Sequence, residues 1–565
     1  MERLTNGLGN SFLPSGPKKA PYGNHPIHES STRPLHVVIV GAGPSGIALS
    51  IQLKSMPHVT YQVFEKNADV GGTWFENRYP GAACDVASHA YQYTFAPNPN
   101  WSHHFAPAEE IGEYFKTVAA RYELYDRIKF NAEVTRAEWD EELGRWAVAI
   151  RDSESGASSQ THGDIFINAG GILNAWKWPE IPGLRAFTGP CLHTASWDPS
   201  VDLQGKRIGV IGSGATGAQL VPQMQKIGQS VTVFVRSPSY ILPHVGFGIE
   251  ASSYNEKYSE IQKQGFRDDA IGYKRFRKAI EQQMNENFRA SIKGSVAQQE
   301  ARSWAEKSMR EAIISPELQH KLIPDWELGC RRITPGRPYL EAVQELNVEI
   351  ERSPIDRITE SGIHTSDGVI HELDAIVCAT GFDTSFRPRY PIIGRNRVDL
   401  RDLWGAQTPE AYLGLAVSGF PNYFTVLGPN CPIANGSLIP CIEWSAKYIG
   451  QVLQKMQACQ IRTVDAKCDM QNFLNEYMQT VHRDLVWSGN CVSWYKERKT
   501  GKVTAVWPGS SIHYMEAIEV PRWEDFDIGY CHRNPFMFLG RGESQREAKG
   551  EDLTFYLPDG PAAWK

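Results

Sequence analysis

The chain has 565 residues, 41% apolar and 22% charged, with a formal net charge of -6. This is the composition of a folded protein of about three or four units, and it excludes a mostly disordered chain. No run approaches the roughly 18 uninterrupted apolar residues of a membrane-spanning helix, and the mild negative charge gives no electrostatic case for nucleic acid or an anionic membrane.

Residues 1–34 are rich in Gly, Pro, Ser and Asn and read as a flexible lead-in. Their start, MERLTNGLGNSF, lacks the basic-then-apolar texture of a secretory leader. The ten cysteines never fall as CxxC or CxxxxC, so neither a zinc knuckle nor a redox dithiol is expected, and no metal site is read. Reduced thiols in a cytoplasmic protein are the expectation.

From His36, HVVIVGAGPSGIALSIQLK predicts strand, glycine turn and helix, and YQVFEK predicts a second strand. Gly41, Gly43 and Gly46 give GxGxxG directly after the apolar run. The first glycine permits the tight turn, the second lets backbone approach a pyrophosphate, and the third lets helix and strand pack closely. The helix N-terminus then faces the phosphates with its positive dipole end. Glu65 ends the next strand, where a carboxylate accepts from ribose hydroxyls and disfavours a 2′-phosphate.

A second such unit starts at Lys206, KRIGVIGSGATGAQLVPQMQK, with Gly212, Gly214 and Gly217, followed by the strand VTVFVRS. Its strand ends in Arg236 and Ser237, and a guanidinium there pairs with a 2′-phosphate, which predicts NADPH. Two such units predict an α/β fold with two Rossmann-like dinucleotide-binding domains. The stretch from about Ala251 to Asp325 is charged and poor in Gly and Pro, which favours helices. The expected organisation is an FAD-binding domain over 35–170 and 390–565, an NADP-binding domain over 171–243 and 329–389, and a helical insertion over 244–328. One acid-tipped and one base-tipped site predict hydride transfer from NADPH to FAD. Disulfide reductases need a cysteine pair beside the flavin, and none has suitable spacing; oxygen-using monooxygenases need none.

Between the two units, FTGPCLHTASWD carries Phe187, Gly189, His193, Trp197 and Asp198, fitting FxGxxxHxxxW followed by Pro or Asp. In this the chain resembles the Baeyer–Villiger monooxygenases, which convert ketones to esters or lactones with FAD, NADPH and O2. The related N-oxidising enzymes usually carry an aromatic residue followed by Lys at the end of this motif, so Trp197-Asp198 favours the Baeyer–Villiger branch. The resemblance extends over roughly Leu35 to Trp507. GGTWFENRYPGAACD (Gly71 to Asp85) is similar to the family pattern GGxWxxxxYPGxxxD. It implies that Gly72, Thr73, Trp74, Asp85 and Tyr91 lie along the flavin, while Pro80 and Gly81 shape the loop. In LGCRRITPG, Arg332 matches the active-site arginine and Arg331 a 2′-phosphate ligand, and Asp85 is expected to pair with Arg332. Trp494, in a SWY element, is expected at the nicotinamide ribose. INAGG (Ile167 to Gly171) and CATGFD (Cys378 to Asp383) look like the two strand-end crossings between domains. Ser45, Lys66, Val134, Gly428, Ser213, Ala215 and Thr216 complete the implied cofactor contacts, and residues 433–438 the implied substrate wall. His193 is expected to couple the domains as a linker residue as readily as to take part in chemistry.

The implied mechanism runs through a C4a-peroxyflavin that attacks the ketone to give a tetrahedral Criegee adduct, with Arg332 holding the negative oxygen. An N- or S-oxidising flavin monooxygenase is the alternative, and a non-catalytic nucleotide-binding protein a more distant one.

Overall fold

The computed structural model describes residues 26–27, 33–243, 255, 257–432 and 434–557. Nearly all of the lead-in expected at 1–34, the start of the expected insertion, and Ile433 fall outside them.

Two five-stranded sheets, each wholly parallel, carry the two glycine turns. The first contains β1 (Leu35–Val40), β2 (Val59–Phe64), β3 (Ile128–Lys129) and β4 (Ile165–Asn168). The second contains β5 (Cys191–His193), β6 (Arg207–Ile211), β7 (Ser230–Phe234), β8 (Val348–Glu351) and β9 (Ala375–Cys378). β10 (Tyr423–Thr425) comes from the far end of the chain and completes the first sheet, whose order is β10-β4-β1-β2-β3. The second reads β8-β7-β6-β9-β5. In both, the strand before the glycine turn is central. Val37, Val38 and Ile39 are fully buried, as are Ile208 and Val210, because parallel strands are covered on both faces. Each such side chain contributes about 2 kcal/mol of burial.

Helix α1 (Pro44–Lys54) follows the first turn and α2 (Ala215–Ile227) the second. Between β7 and β8 lie α3 (Glu260–Asp268), α4 (Ala270–Glu286), α5 (Val296–Ala312) and α6 (Pro316–Leu322), the helical segment expected from composition. Its few buried apolar residues tie it to both units. Ile280 and Met284 of α4 pack on Ala87 and Ala90, and Ala305 and Met309 of α5 join the core of the second sheet. Helix α7 (Leu438–Ala458) backs α1. An antiparallel meander, Ala132–Asp140, Arg145–Asp152 and Ser158–Gly163, leaves the first sheet before β4. Among the described residues no helix is long and apolar enough to cross a membrane.

Candidate active site

The site starts from the two glycine turns. Gly41 has φ +97° and Gly212 φ +116°, values that L side chains rarely adopt. Both helices are N-capped by glycine, Gly43 and Gly214, with no side chain closing the end. Their first N–H groups therefore lack side-chain acceptors, and the positive helix ends face open space. A Cβ on Gly214 would meet nothing nearer than Arg331 Nη2 at 3.8 Å.

Both turns open on one cavity of about 1630 Å³. Asp85, Arg332 and all the expected cofactor-binding positions line it except Gly46 and Gly217. Those two face their own turns, at helix–strand contacts where a Cβ would lie 1.9 Å from the Gly41 carbonyl oxygen and 2.4 Å from that of Gly212. The two strand-end crossings flank the cavity through Asn168–Gly171 and Ala379–Asp383.

At the acid-tipped end, Glu65 is only 3% exposed. Its Oε2 accepts the Ala42 N–H at 2.7 Å and its Oε1 the Asn67 N–H at 2.8 Å. Burial still pushes its carboxyl above the ordinary range, against the two N–H groups that lower it. Glu65 thus braces its own turn and has only its remaining lone pairs to offer a ribose. Lys66 bonds Asn174 at 2.9 Å and pairs with Glu76 at 2.5 Å. Trp74 Nε1 donates to the Tyr91 hydroxyl at 3.2 Å, the rings meeting edge to face.

At the base-tipped end, Arg331 Nη1 donates to Ser237 Oγ at 3.1 Å. Burial lowers its proton affinity, and the nearby charge of Arg236 lowers it further. Among the described residues neither guanidinium pairs with a carboxylate. Two unneutralised cations beside an open helix N-terminus make a site for an anionic group.

Arg332 and Asp85 form a fork, Nε to Oδ2 at 2.7 Å and Nη2 to Oδ1 at 2.6 Å. Burial alone would raise the Asp85 carboxyl, but the guanidinium more than reverses this and holds it below its usual range. Asp85 in turn raises Arg332, which is a fixed cation at any working pH. The carboxylate reaches this position because the loop before it rests on α2. The Tyr79 hydroxyl donates to Gln219 at 2.7 Å, Gln219 donates to the Ala83 carbonyl at 2.9 Å, and a Cβ on Gly81 would lie 2.5 Å from the Gln219 carbonyl. Burial lifts the Tyr79 hydroxyl to about 12. Gln219 was not singled out in the sequence; it is a polar position on an amphipathic helix with no motif to mark it.

The five fingerprint residues stay outside the cavity wall. His193 ends β5 and accepts the Ala195 N–H at 3.2 Å on Nδ1, so its proton sits on Nε2, 3.1 Å from Thr380 Oγ1. Its ring stacks on Trp176 with centroids 4.5 Å apart. Burial lowers its pKa to about 4, so it is neutral at pH 7. Thr380 does line the cavity, which makes His193 a support for the crossing. Phe187 packs on the small cluster containing Ile376, Trp197 packs against the second core, Asp198 caps a turn at Ser200, and Gly189 lies where a Cβ would meet the Asp374 carbonyl at 2.4 Å.

One expectation is overturned. Cys330 and Cys491 form a disulfide, with Cα atoms 6.2 Å apart, so the chain does not carry reduced thiols throughout. The partners are separated by 161 residues, and short-range spacing carries no trace of such a pair. Neither sulfur lines the cavity, so this is not a dithiol facing a cofactor. The other eight cysteines are free.

The description "flavin-binding monooxygenase-like" fits a family pattern that matches residues 35–329. The FAD-binding monooxygenase moxY of Dothistroma septosporum is 40% identical over 541 residues, covering 93% of this chain and 85% of its own. A Baeyer-Villiger monooxygenase of Pseudomonas aeruginosa is 32% identical over 523 residues, covering 92% of this chain and 96% of its own. A solved structure of OTEMO in complex with FAD and NADP superposes with a TM-score of 0.77 at 26% identity, covering 88% of this chain and 99% of that one. The chain belongs to the flavin-binding monooxygenase-like family.

Proposed function

We propose that this enzyme inserts one oxygen atom from O2 beside a ketone carbonyl, giving an ester or lactone, with FAD as resident cofactor and NADPH as reductant. The residues present fit both groups. Two uncapped helix ends open on one cavity, Glu65 stands at one strand tip, and the cation pair Arg236 and Arg331 stands at the other. The FAD would lie against Gly41 to Ser45, Thr73, Trp74 and Tyr91, and the NADPH against Gly212 to Thr216, with its 2′-phosphate on Arg236, Ser237 and Arg331. Bound FAD supplies hydride acceptance and oxygen activation.

The observation that carries the reading is the Arg332–Asp85 fork inside the shared cavity. Arg332 carries a permanent charge. It holds the negative charge that develops on the substrate's carbonyl oxygen, a contribution of about 3–4 kcal/mol for a well-placed donor. Asp85 orients the guanidinium and keeps it from swinging toward solvent. His193 is neutral and behind the wall, so it takes no proton from the substrate.

The test is a ketone panel with purified protein, following NADPH loss and product mass. Gain of one oxygen with ester or lactone formation is the expected result. The Arg332→Ala variant should keep its flavin and lose about a hundredfold or more in ester formation. Sulfoxides or N-oxides without any ester would move the assignment to an N- or S-oxidising monooxygenase.

A further inference from the structure

The edge of the second sheet carries a side-chain cluster that the cavity does not use. β8 is the outermost strand of that sheet, and Glu349 and Glu351, two residues apart, project from one side of it while Ile350 is buried on the other. A small antiparallel sheet, Ile355–Thr359, Gly362–Thr365 and Ile370–Glu372, brings His371 beside the two carboxylates. Phe234 of β7 meets the imidazole edge to face, with centroids 5.2 Å apart. His371 is 8% exposed, and its Nε2 is shut off from solvent with no hydrogen-bond partner. Glu351 Oε2 stands 3.4 Å from Nε2, and Glu349 Oε2 stands 3.9 Å from Nδ1. The other Glu351 oxygen accepts the Ser353 N–H at 2.5 Å, so Oε2 is the one turned to the ring. Among the described residues neither carboxylate is paired with a lysine or an arginine.

We propose that Glu349, Glu351 and His371 form a binding site for one zinc ion. Their donor atoms lie within 4.8 Å of one another. Two ligands of a tetrahedral zinc, each about 2.0–2.1 Å from the ion, stand about 3.3–3.4 Å apart. That is the separation between His371 Nε2 and Glu351 Oε2. The Glu349 side chain is 62% exposed and has room to close up as the third ligand, with water completing the shell. An imidazole among carboxylates suits zinc, whereas magnesium takes oxygen ligands. The ion neutralises two adjacent negative charges and gives the orphaned Nε2 its partner, and a buried polar atom without one is costly. None of the three residues lines the cavity, so the ion is a clasp between the edge strand and the small sheet and takes no part in the reaction. It sits behind the base-tipped end, because the Glu351 carbonyl accepts the N–H of Val235, the residue before Arg236, at 2.8 Å.

The experiment uses the flavin-loaded protein, stripped with a chelator and then dialysed against micromolar Zn2+, with bound metal measured by elemental analysis. The native protein should retain one zinc ion per chain more than either His371→Asn or Glu349→Gln/Glu351→Gln, all with native flavin content. A Cys468→Ser/Cys531→Ser variant, which removes the two exposed free thiols, should keep that ion. Mg2+ in about a hundredfold excess should not displace it. Zn2+ should raise the unfolding temperature of the native protein by a few degrees and leave the glutamine pair unmoved. Without metal, the glutamine pair should be at least as stable as the native protein, since it removes a repulsion between neighbouring carboxylates. Equal zinc content in the native protein and the glutamine pair overturns the proposal, as does displacement by Mg2+ or loss of the ion with the two exposed thiols. If His371→Asn fails to fold because the Phe234 contact is lost, the isosteric glutamine pair decides the matter alone.

Discussion

A Cβ on Gly41 would strike the Ala169 carbonyl at 2.8 Å, and one on Gly212 the Ala379 carbonyl at 2.5 Å. In each unit the crossing strand's alanine returns an N–H to the central strand at 2.9 Å, Ala169 to Val40 and Ala379 to Ile211. The two cradles are one backbone solution used twice. They part company at the strand tips. Glu65 is buried and already bonded to two backbone N–H groups, whereas Arg236 is exposed and Arg331, among the described residues, holds only a serine hydroxyl. One tip is an internal brace with limited capacity for a ligand, and the other is a pair of charges that needs one. The shared part fixes that a dinucleotide fits, and the unshared part decides which.

The sharpest way to separate the halves is to fill the third glycine of each. In Gly46→Ala the new Cβ meets backbone at 1.9 Å, which no side-chain motion relieves. The protein should lose about 3 kcal/mol or more and with it bound flavin, measured by thermal unfolding and visible absorbance. In Gly217→Ala the contact is 2.4 Å and falls in the other unit. That variant should stay yellow and lose its response to NADPH. Loss of flavin from Gly217→Ala with retention in Gly46→Ala would invert the assignment of the two cradles.

Much of this site was legible because its chemistry is local in sequence. A glycine turn, its strand and its tip residue fall within about 25 residues, and their roles follow from backbone sterics. The Arg332–Asp85 fork joins residues 247 apart and was visible only through family resemblance. What stayed hidden is set by packing between distant segments. Gln219 under the Asp85 loop and the Cys330–Cys491 bond each join parts of the chain with no periodic or spaced signal. The helical character of the insertion followed from composition, but its grip on both units through Ile280, Met284, Ala305 and Met309 did not.

Asp85→Ala breaks the fork that spans the two units. Arg332 then keeps its charge but loses its bidentate anchor, and misplacement by about an ångström is worth as much as a hundredfold in rate. Flavin reduction by NADPH, followed by stopped-flow bleaching, should slow by about ten- to a hundredfold. Unchanged reduction would remove Asp85 from the positioning role. A smaller effect is expected at the base-tipped end. Arg236→Ala removes one charge-assisted contact at an exposed position, about 1.5 kcal/mol, so the NADPH KM should rise by roughly tenfold. The NADH KM should barely move, since NADH has no 2′-phosphate. Equal effects on both would mean that Arg331 and Ser237 read the phosphate without Arg236.

The last effect concerns the join between the units and is read in stability. His193 is 1% exposed and its folded pKa is lowered to about 4, against roughly 6.5 in an unfolded chain. Between those two values the unfolded state binds a proton that the folded state refuses, so acidification drains stability across that window and none is lost above it. At pH 5 the loss amounts to about 2 kcal/mol from this residue. A His193→Gln variant keeps a polar group near Thr380 but cannot titrate. It should start less stable at pH 7.5, because stacking on Trp176 is lost, and then fall less steeply than the native protein between pH 7.5 and pH 5. Other buried histidines contribute equally to both proteins and cancel in the difference. Parallel pH curves for the two would mean that His193 is protonated in the folded state near its ordinary pKa, and that the crossing at Thr380 carries a charge rather than a neutral hydrogen bond.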